Sequence, residues 1–281
     1  MNSILFKSAL CAAMSLLLVS CTKASGPKPA APAASASASA SASASDSELL
    51  PATGNTRVES FANAKRILLK RVFYDHRTTL YCDAPFHEDK QVDLPAGFQT
   101  PSSQSRMNRI EWEHIVPAEN FGRTFTEWRE GAPECTGPQG PFKGRKCADL
   151  ASREYRLMQA DFYNLYPAIG AVNAIRKNYA YDELPAGTPA SFGTCPMKIR
   201  SGKAEPPDFA KGLVARTHLY MQAAYPRFHL SRQQQRLMEA WDRKFPADDW
   251  ECLRAERIKA LQGNENPYTV RSCARRSAAR K

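Results

Sequence analysis

Residues 106–118 read Arg-Met-Asn-Arg-Ile-Glu-Trp-Glu-His-Ile-Val-Pro-Ala. Two carboxylates, Glu111 and Glu113, stand two apart, the period that puts side chains on one face of a strand, and the His114 imidazole lies beside them. A carboxylate is a ligand for a hard cation, and an imidazole accepts a proton near neutral pH. Ile110, Trp112, Ile115 and Val116 favour a strand, and Pro117 stops it. Taken alone, the same residues also describe an ordinary strand with a solvated acidic face and one histidine, because ionisable clusters point to function only statistically.

Two other places offer chemistry. A Gly- and Pro-rich loop over 131–144 ends in Lys143-Gly144-Arg145-Lys146-Cys147, with Cys135 near its start. Clamped by Cys135 and Cys147 and laid beside the strand, it would set three cations around a phosphate, and an arginine can grip phosphate oxygens in a two-pronged contact. A solvated basic loop is the alternative. Asn164 and Asn173 supply two amides, nine residues apart. On one continuous helix they would sit about half a turn out of phase, so both face one site only if Pro167 or Gly170 resets the register.

The elements that position these groups follow from period and capping. Ser60 caps a helix running to about Tyr74, with Phe61, Ala64, Leu68 and Val72 as its packing stripe, and Thr78–Cys82 reads as a short strand. A helix is predicted over 151–165 through Tyr155, Met158, Phe162 and Leu165, followed by a second carrying Val172, Asn173, Ile175 and Arg176. Another covers 208–225 through Phe209, Leu213, Thr217, Met221 and Tyr225. Ser231 and Gln234 form a capping box for a helix with Leu237, Trp241 and Phe245; Pro246 ends it. Asp249 caps the next, whose buried face is Trp250, Leu253, Ile258 and Leu261, and Gly263 closes it. The tail with Arg271, Arg275, Arg276, Arg280 and Lys281 is expected to fray.

The chain has 281 residues and is 43% hydrophobic, enough for a proper core and too much for a disordered protein. Its formal charge of +11 suggests a polyanionic partner: nucleic acid, anionic lipid or a cell-wall polymer. Residues 1–20, with Lys7 ahead of an apolar run, read as a bacterial export signal, too short for a membrane span. Leu18-Val19-Ser20-Cys21 resembles a lipobox, which implies an acylated Cys21 and attachment to a membrane, the outer one by the absence of an aspartate after it. Residues 21–50 would then be the lipidated cysteine and an Ala/Ser/Pro tether with a reach of roughly 25–30 Å, leaving 51–281 as the folded domain. Export also accounts for the remaining six cysteines, Cys82, Cys135, Cys147, Cys195, Cys252 and Cys273: an even set in an oxidising compartment implies three disulfides, of which Cys135 with Cys147 is the one pairing assigned. Zinc is disfavoured, because the chain has no Cys-x-x-Cys pair.

The run Arg109 to Ala118, followed by Phe121-Gly122, resembles the signature of the endonuclease I family, the periplasmic and secreted nonspecific nucleases of bacteria. The likeness continues in order through Gly144-Arg145-Lys146-Cys147, Asn164-Leu165-Tyr166-Pro167, Gly170-Ala171-Val172-Asn173, Ala215-Arg216-Thr217, Ser231-Arg232-Gln233-Gln234, Trp250-Glu251-Cys252 and Gln262-Gly263-Asn264-Glu265-Asn266-Pro267-Tyr268. It implies an α+β, mostly helical, disulfide-bonded fold around a ββα-metal (His-Me finger) core. It implies Mg²⁺-dependent hydrolysis of DNA, with RNA open as a second substrate, to 5′-phosphate ends by a monomer. By the same resemblance His114 is the general base, Glu113 and Asn173 are the metal ligands, and Arg145 holds the phosphate. Glu111, Asn164, Lys143 and Lys146 fall near the site without an assigned role. The sequence departs from the family at Ala84 and Ala96, where two further cysteines are common, at Gln159, where a glutamate is common, and at Ala171, where an acid is usual; the loop over 125–143 is also longer. The rival reading is a noncatalytic envelope lipoprotein that binds nucleic acid, which would need neither Glu113 nor His114.

Cys21→Ser is expected to move the protein from the membrane fraction to the soluble one on fractionation; a wild-type protein already soluble would remove the anchor.

Overall fold

Ser60 opens the first helix by accepting a hydrogen bond from the Asn63 amide; α1 (Phe61–Ile67) then widens into a π-helical turn over Leu68–Val72, burying Ala64, Leu68, Leu69 and Val72. The structure, a computed structural model, describes residues 52–279, so the export segment, Cys21, the whole tether and the tail residues Arg280 and Lys281 lie outside it. Next come β1 (Ile110–His114), α2 (Ala118–Gly122), α3 (Thr126–Arg129) and the small hairpin β2 (Thr136–Gly137) with β3 (Gly140–Pro141). After these follow α4 (Arg145–Ala151), α5 (Arg153–Gln159), β4 (Leu165–Ile169) and α6 (Gly170–Arg176). β5 (Ala180–Tyr181), β6 (Lys198–Arg200) and β7 (Lys203–Glu205) make a second sheet in the order β5-β7-β6, with β5 parallel and β6 antiparallel to β7. Four helices complete the chain: α7 (Asp208–Ala224), α8 (Arg232–Lys244), α9 (Asp249–Gln262) and α10 (Pro267–Ala279).

β1 pairs antiparallel with β4, setting Glu111 opposite Ala168, Glu113 opposite Tyr166 and His114 opposite Leu165. The chain passes straight from β4 into α6, so two strands and one helix carry Glu111, Glu113, His114 and Asn173. Gly170 makes the junction possible: a Cβ there would lie 2.5 Å from the Arg106 carbonyl oxygen and 3.0 Å from Glu111 Oε1.

Several expectations are corrected. The helix over 151–165 divides, because Ser152 caps α5 through the Tyr155 amide and Asp161 ties up the Tyr163 amide, after which the backbone pairs with β1. Asn164 therefore precedes a strand, and the phase problem with Asn173 disappears. Pro167 is tolerated because its carbonyl faces away from β1 to accept from the Leu80 amide at 2.9 Å, which puts its ring nitrogen on the same outer edge. Thr78–Cys82 is a turn laid against β4 rather than a strand; Thr78 makes one isolated bridge to Pro85. Asp248, not Asp249, caps α9, accepting from the Glu251 amide at 2.6 Å. In the expected capping box only Ser231 acts, since the Gln234 side chain donates instead to the Tyr181 carbonyl. Phe209 and Leu253 are exposed rather than packed. The tail is helical through Ala279, fixed by the Cys252–Cys273 disulfide and by Arg276 on Asp249.

The other disulfides are Cys82–Cys195 and the expected Cys135–Cys147, so all six domain cysteines are used. α7 is the central helix, buried at every position from Ala210 to Met221. Arg216 within it is 1% exposed and donates through Nε to Glu251 at 2.7 Å and through Nη1 to Asp242 at 3.1 Å, locking α9 and α8 to α7. Gly212 lets the end of α8 come close: a Cβ would lie 2.1 Å from the Phe245 carbonyl oxygen.

Truncating Arg216 would leave buried Glu251 without an ionic partner and Asp242 with Arg271 as its main one, so Arg216→Ala is expected to lower the unfolding free energy by about 3–5 kcal/mol in urea titration. A loss below about 1 kcal/mol would show the cluster to be solvated.

Candidate active site

β1 delivers its last residues to the site in a fixed orientation because its exit is pinned by a side chain. Asn164 accepts from the Val116 amide at 2.7 Å and donates to the Val116 carbonyl at 3.0 Å, extending the strand pairing by one rung. Asn164 is fully buried and both ends of its amide are engaged, which makes it a structural residue.

His114 is 8% exposed, with its ring 4.9 Å from that of Phe61 and 6.2 Å from that of Phe121. Nε2 lies 2.8 Å from the Gln159 carbonyl oxygen, which can only accept. Nε2 therefore carries the hydrogen and Nδ1 keeps its lone pair. Burial, then the Arg145 charge, hold the imidazole pKa down to about 3, so the ring is a neutral base. Because the contact runs through the Gln159 backbone, the exchange of a glutamate for glutamine there leaves it intact; the Gln159 side chain meets Asp149 and, at 3.4 Å, Arg145.

Glu113 is 1% exposed, not part of a solvated face. Its Oε1 accepts from the Tyr81 hydroxyl at 2.6 Å and pairs with Arg176 Nη1 at 3.0 Å, while Oε2 accepts no hydrogen bond from the described residues. Burial pushes the carboxyl pKa up, and Arg176 opposes that shift. Glu111, two residues earlier, is held by Arg106 Nε at 2.8 Å and by Arg109 at 3.8 Å, and accepts from Asn173 Nδ2 at 3.1 Å. Burial would raise its pKa, but the hydrogen bonds from Arg106 and Asn173 outweigh it and keep the carboxyl below the usual range. An ionised carboxylate accepts only, so it fixes the Asn173 amide with nitrogen toward Glu111 and Oδ1 directed elsewhere.

A cleft of about 480 Å³ collects Glu113, His114, Asn173, Arg145, Arg176 and Lys177. Arg145 is exposed, its guanidinium 5.2 Å from the centre of the Phe61 ring. Lys146 lines a neighbouring cleft with Lys65, Arg145 and Arg156, whereas Lys143 lines neither. Ala171 is fully buried and does not enter the cleft. Among the described residues no group of three or more His, Cys, Asp or Glu could cage a metal. What remains is a sparse pair of hard oxygens, Glu113 Oε2 and Asn173 Oδ1. That donor set fits a small divalent ion that keeps most of its water.

Sequence reasoning missed Tyr81, Arg176 and Phe61 as parts of this site. Tyr81 carries no local mark. Arg176 does: it follows Asn173 by three positions on a short helix, and it is a buried cation that also donates to the His114 and Ile115 carbonyls.

For the metal-free protein, nitrogen-resolved NMR of the His114 ring is expected to show Nε2–H with bare Nδ1 at pH 7 and no titration near the ordinary value of about 6.5. Since the folded pKa is depressed, the unfolded chain binds the proton first. This contribution to stability is complete above about pH 6.5 and declines as pH falls toward about 3. A His114 ring half-charged at pH 6 would contradict the assignment.

The sequence profile of endonuclease I matches residues 74–273. An extracellular deoxyribonuclease of Aeromonas hydrophila is 39% identical over 222 residues, covering 76% of this chain and 91% of that protein. A periplasmic deoxyribonuclease of the same species is 37% identical over 223 residues, 76% and 87% of the two chains. Endonuclease-1 of Buchnera aphidicola subsp. Baizongia pistaciae is 33% identical over 218 residues, 75% and 83%. With this match spanning the strand pair, α6 and the cleft between them, the chain belongs to the endonuclease I family.

Proposed function

We propose that the protein is an exported endonuclease that hydrolyses phosphodiester bonds of DNA, and of RNA as a second substrate, with one Mg²⁺ and His114 as general base. The observation that carries this reading is the convergence, in one cleft, of a neutral imidazole whose Nδ1 keeps its lone pair, two oxygens, Glu113 Oε2 and Asn173 Oδ1, without a hydrogen-bond partner among the described residues, and an exposed arginine.

A phosphodiester resists attack because its charge repels hydroxide and its leaving alkoxide is poor. Glu113 and Asn173 would hold the divalent ion, which would supply charge neutralisation for the reacting phosphodiester. His114 Nδ1 takes the proton from the attacking water, base catalysis worth about 10²–10⁴-fold. The Gln159 carbonyl keeps the ring turned for this and strengthens its bond to Nε2–H as the ring becomes charged. Arg145, unlike buried Arg176, can close on the phosphate oxygens. Departure of the 3′-oxygen leaves 5′-phosphate ends. Grip on the backbone carries little base information, so cleavage is sequence-nonspecific. Export agrees with the disulfides and with the extracellular and periplasmic names of the relatives, and the net charge of +11 with a polyanionic substrate. Acylation of Cys21 would keep the nuclease, a monomer, on the cell envelope.

Supercoiled plasmid with Mg²⁺ or EDTA tests the proposal. Glu113→Gln and His114→Ala are expected to lose at least about 10²-fold in nicking rate while binding DNA as tightly in EDTA; full activity in either would sink the mechanism. A wild type that binds plasmid and never nicks it would favour the noncatalytic binding protein. Tyr81→Phe removes a hydrogen bond from the ligand carboxylate and is expected to raise the Mg²⁺ concentration for half-maximal rate by about tenfold, the range for supporting residues. An unchanged Mg²⁺ response would detach Tyr81 from the metal.

A further inference from the structure

We propose that a second cleft, adjoining the catalytic one, is a subsite for the base of an unpaired nucleotide, so that the protein holds single strands through contacts it does not make with a duplex. This rests on the nuclease reading above.

The cleft, of about 360 Å³, lies among α2, the segment after α6, α7 and the start of α8, and it shares Pro117 and Arg176 with the catalytic cleft. This cavity is therefore a neighbour of the cleft that holds His114. Its volume falls in the range of about 300–1,000 Å³ usual for ligand sites. Among the described residues no carboxylate lines it; exposed Arg123, which pairs with Glu119, is the cation at its edge, while Arg176 is buried against Glu113.

The recognition chemistry comes from His218. This side chain is 6% exposed, and its Nδ1 lies 2.8 Å from the Val214 carbonyl oxygen. Nδ1 must donate there, so Nε2 is a bare acceptor, with no partner among the described residues. Burial, with help from Arg176, keeps the ring neutral down to about pH 4. Gln234 supplies a second acceptor on the same cleft: its Nε2 donates to the Tyr181 carbonyl at 2.8 Å, leaving Oε1 without a partner among the described residues. Half-buried Tyr179 adds an aromatic face.

Acceptors select N–H donors. Every nucleobase has at least one N–H on its pairing edge, an amino group in adenine, cytosine and guanine or an imino group in guanine, thymine and uracil. In a duplex those hydrogens are bonded to the opposite strand and the base is stacked; in a single strand both faces and edges are free, the arrangement that aromatic and polar pockets use to read unpaired bases. Neutral acceptors that accept an N–H from any base give strand-state selectivity without sequence selectivity.

The test uses the disulfide-bonded protein with Tyr179→Ala and, separately, His218→Phe. Binding is measured in EDTA by fluorescence anisotropy of a labelled oligothymidylate and of the same strand in duplex with oligoadenylate. Each variant is expected to raise Kd for the single strand by about tenfold, the scale of one lost stacking or hydrogen-bonding partner. Duplex Kd and plasmid nicking with Mg²⁺ should stay within about twofold of wild type. Equal weakening for both substrates, or unchanged single-strand affinity, overturns the subsite. Tyr179 is a half-exposed position, so its variant decides the matter even if His218→Phe fails to fold. A wild type that never nicks plasmid would refute the nuclease reading instead, and the EDTA binding data would still decide the subsite.

Discussion

A carboxylate buried beside a guanidinium is the constraint from which the active cleft is built. Glu113 cannot stay ionised at 1% exposure without Arg176, and Arg176 cannot be buried without Glu113 and the His114 and Ile115 carbonyls. Removing two charges from water costs several kcal/mol each, and it is recovered only where geometry and hydrogen bonding are good. Tyr81 supplies the last bond to the same oxygen. The arrangement spends one oxygen of the carboxylate on the fold and leaves the other for chemistry. It also ties α6, through Arg176, to the end of β1, so Glu113 and His114 are placed by one network.

A similar division of labour recurs around it. Glu111, which shares the acidic face in sequence, is satisfied by Arg106 and Arg109 and acts on the site by turning the Asn173 amide. Gln159 sets the histidine tautomer with its backbone while its side chain contacts Arg145. In each case a group lining the cleft is oriented by a neighbour with a fixed donor or acceptor role, so its geometry is set in advance.

The strand bearing Glu113 and His114 was legible because its side-chain period of two and its terminating proline are local properties, and Arg145 because a cysteine pair frames its loop. The caps at Ser60 and Ser231 and the helix end at Gly263 are local too, and they hold. The partners were not legible: Tyr81 is 32 residues from Glu113, and nothing near Tyr81 announces where its hydroxyl goes. Residues 162–165 read as the end of a helix over 151–165 from their apolar spacing, yet they form a tight turn that enters a strand at Leu165, because β1 offers the backbone a ladder that no local pattern encodes. Phe209, placed in the stripe of α7 by spacing alone, is exposed, since the helix begins outside the core it later fills. The tail looked like free charge because the Cys252–Cys273 link and the acceptor carboxylates lie in other elements.

The Cys82–Cys195 bond joins residues 113 apart, and Glu113, His114, Arg145 and Asn173 all fall between them. Covalently, these residues of the cleft sit on a closed ring, with the Cys135–Cys147 loop as a smaller ring inside it. A protease that cuts the ring once opens it without producing two molecules. Wherever peptidases are common, a nick in an exposed stretch such as the hairpin at 136–141 leaves both new ends attached to the same folded body.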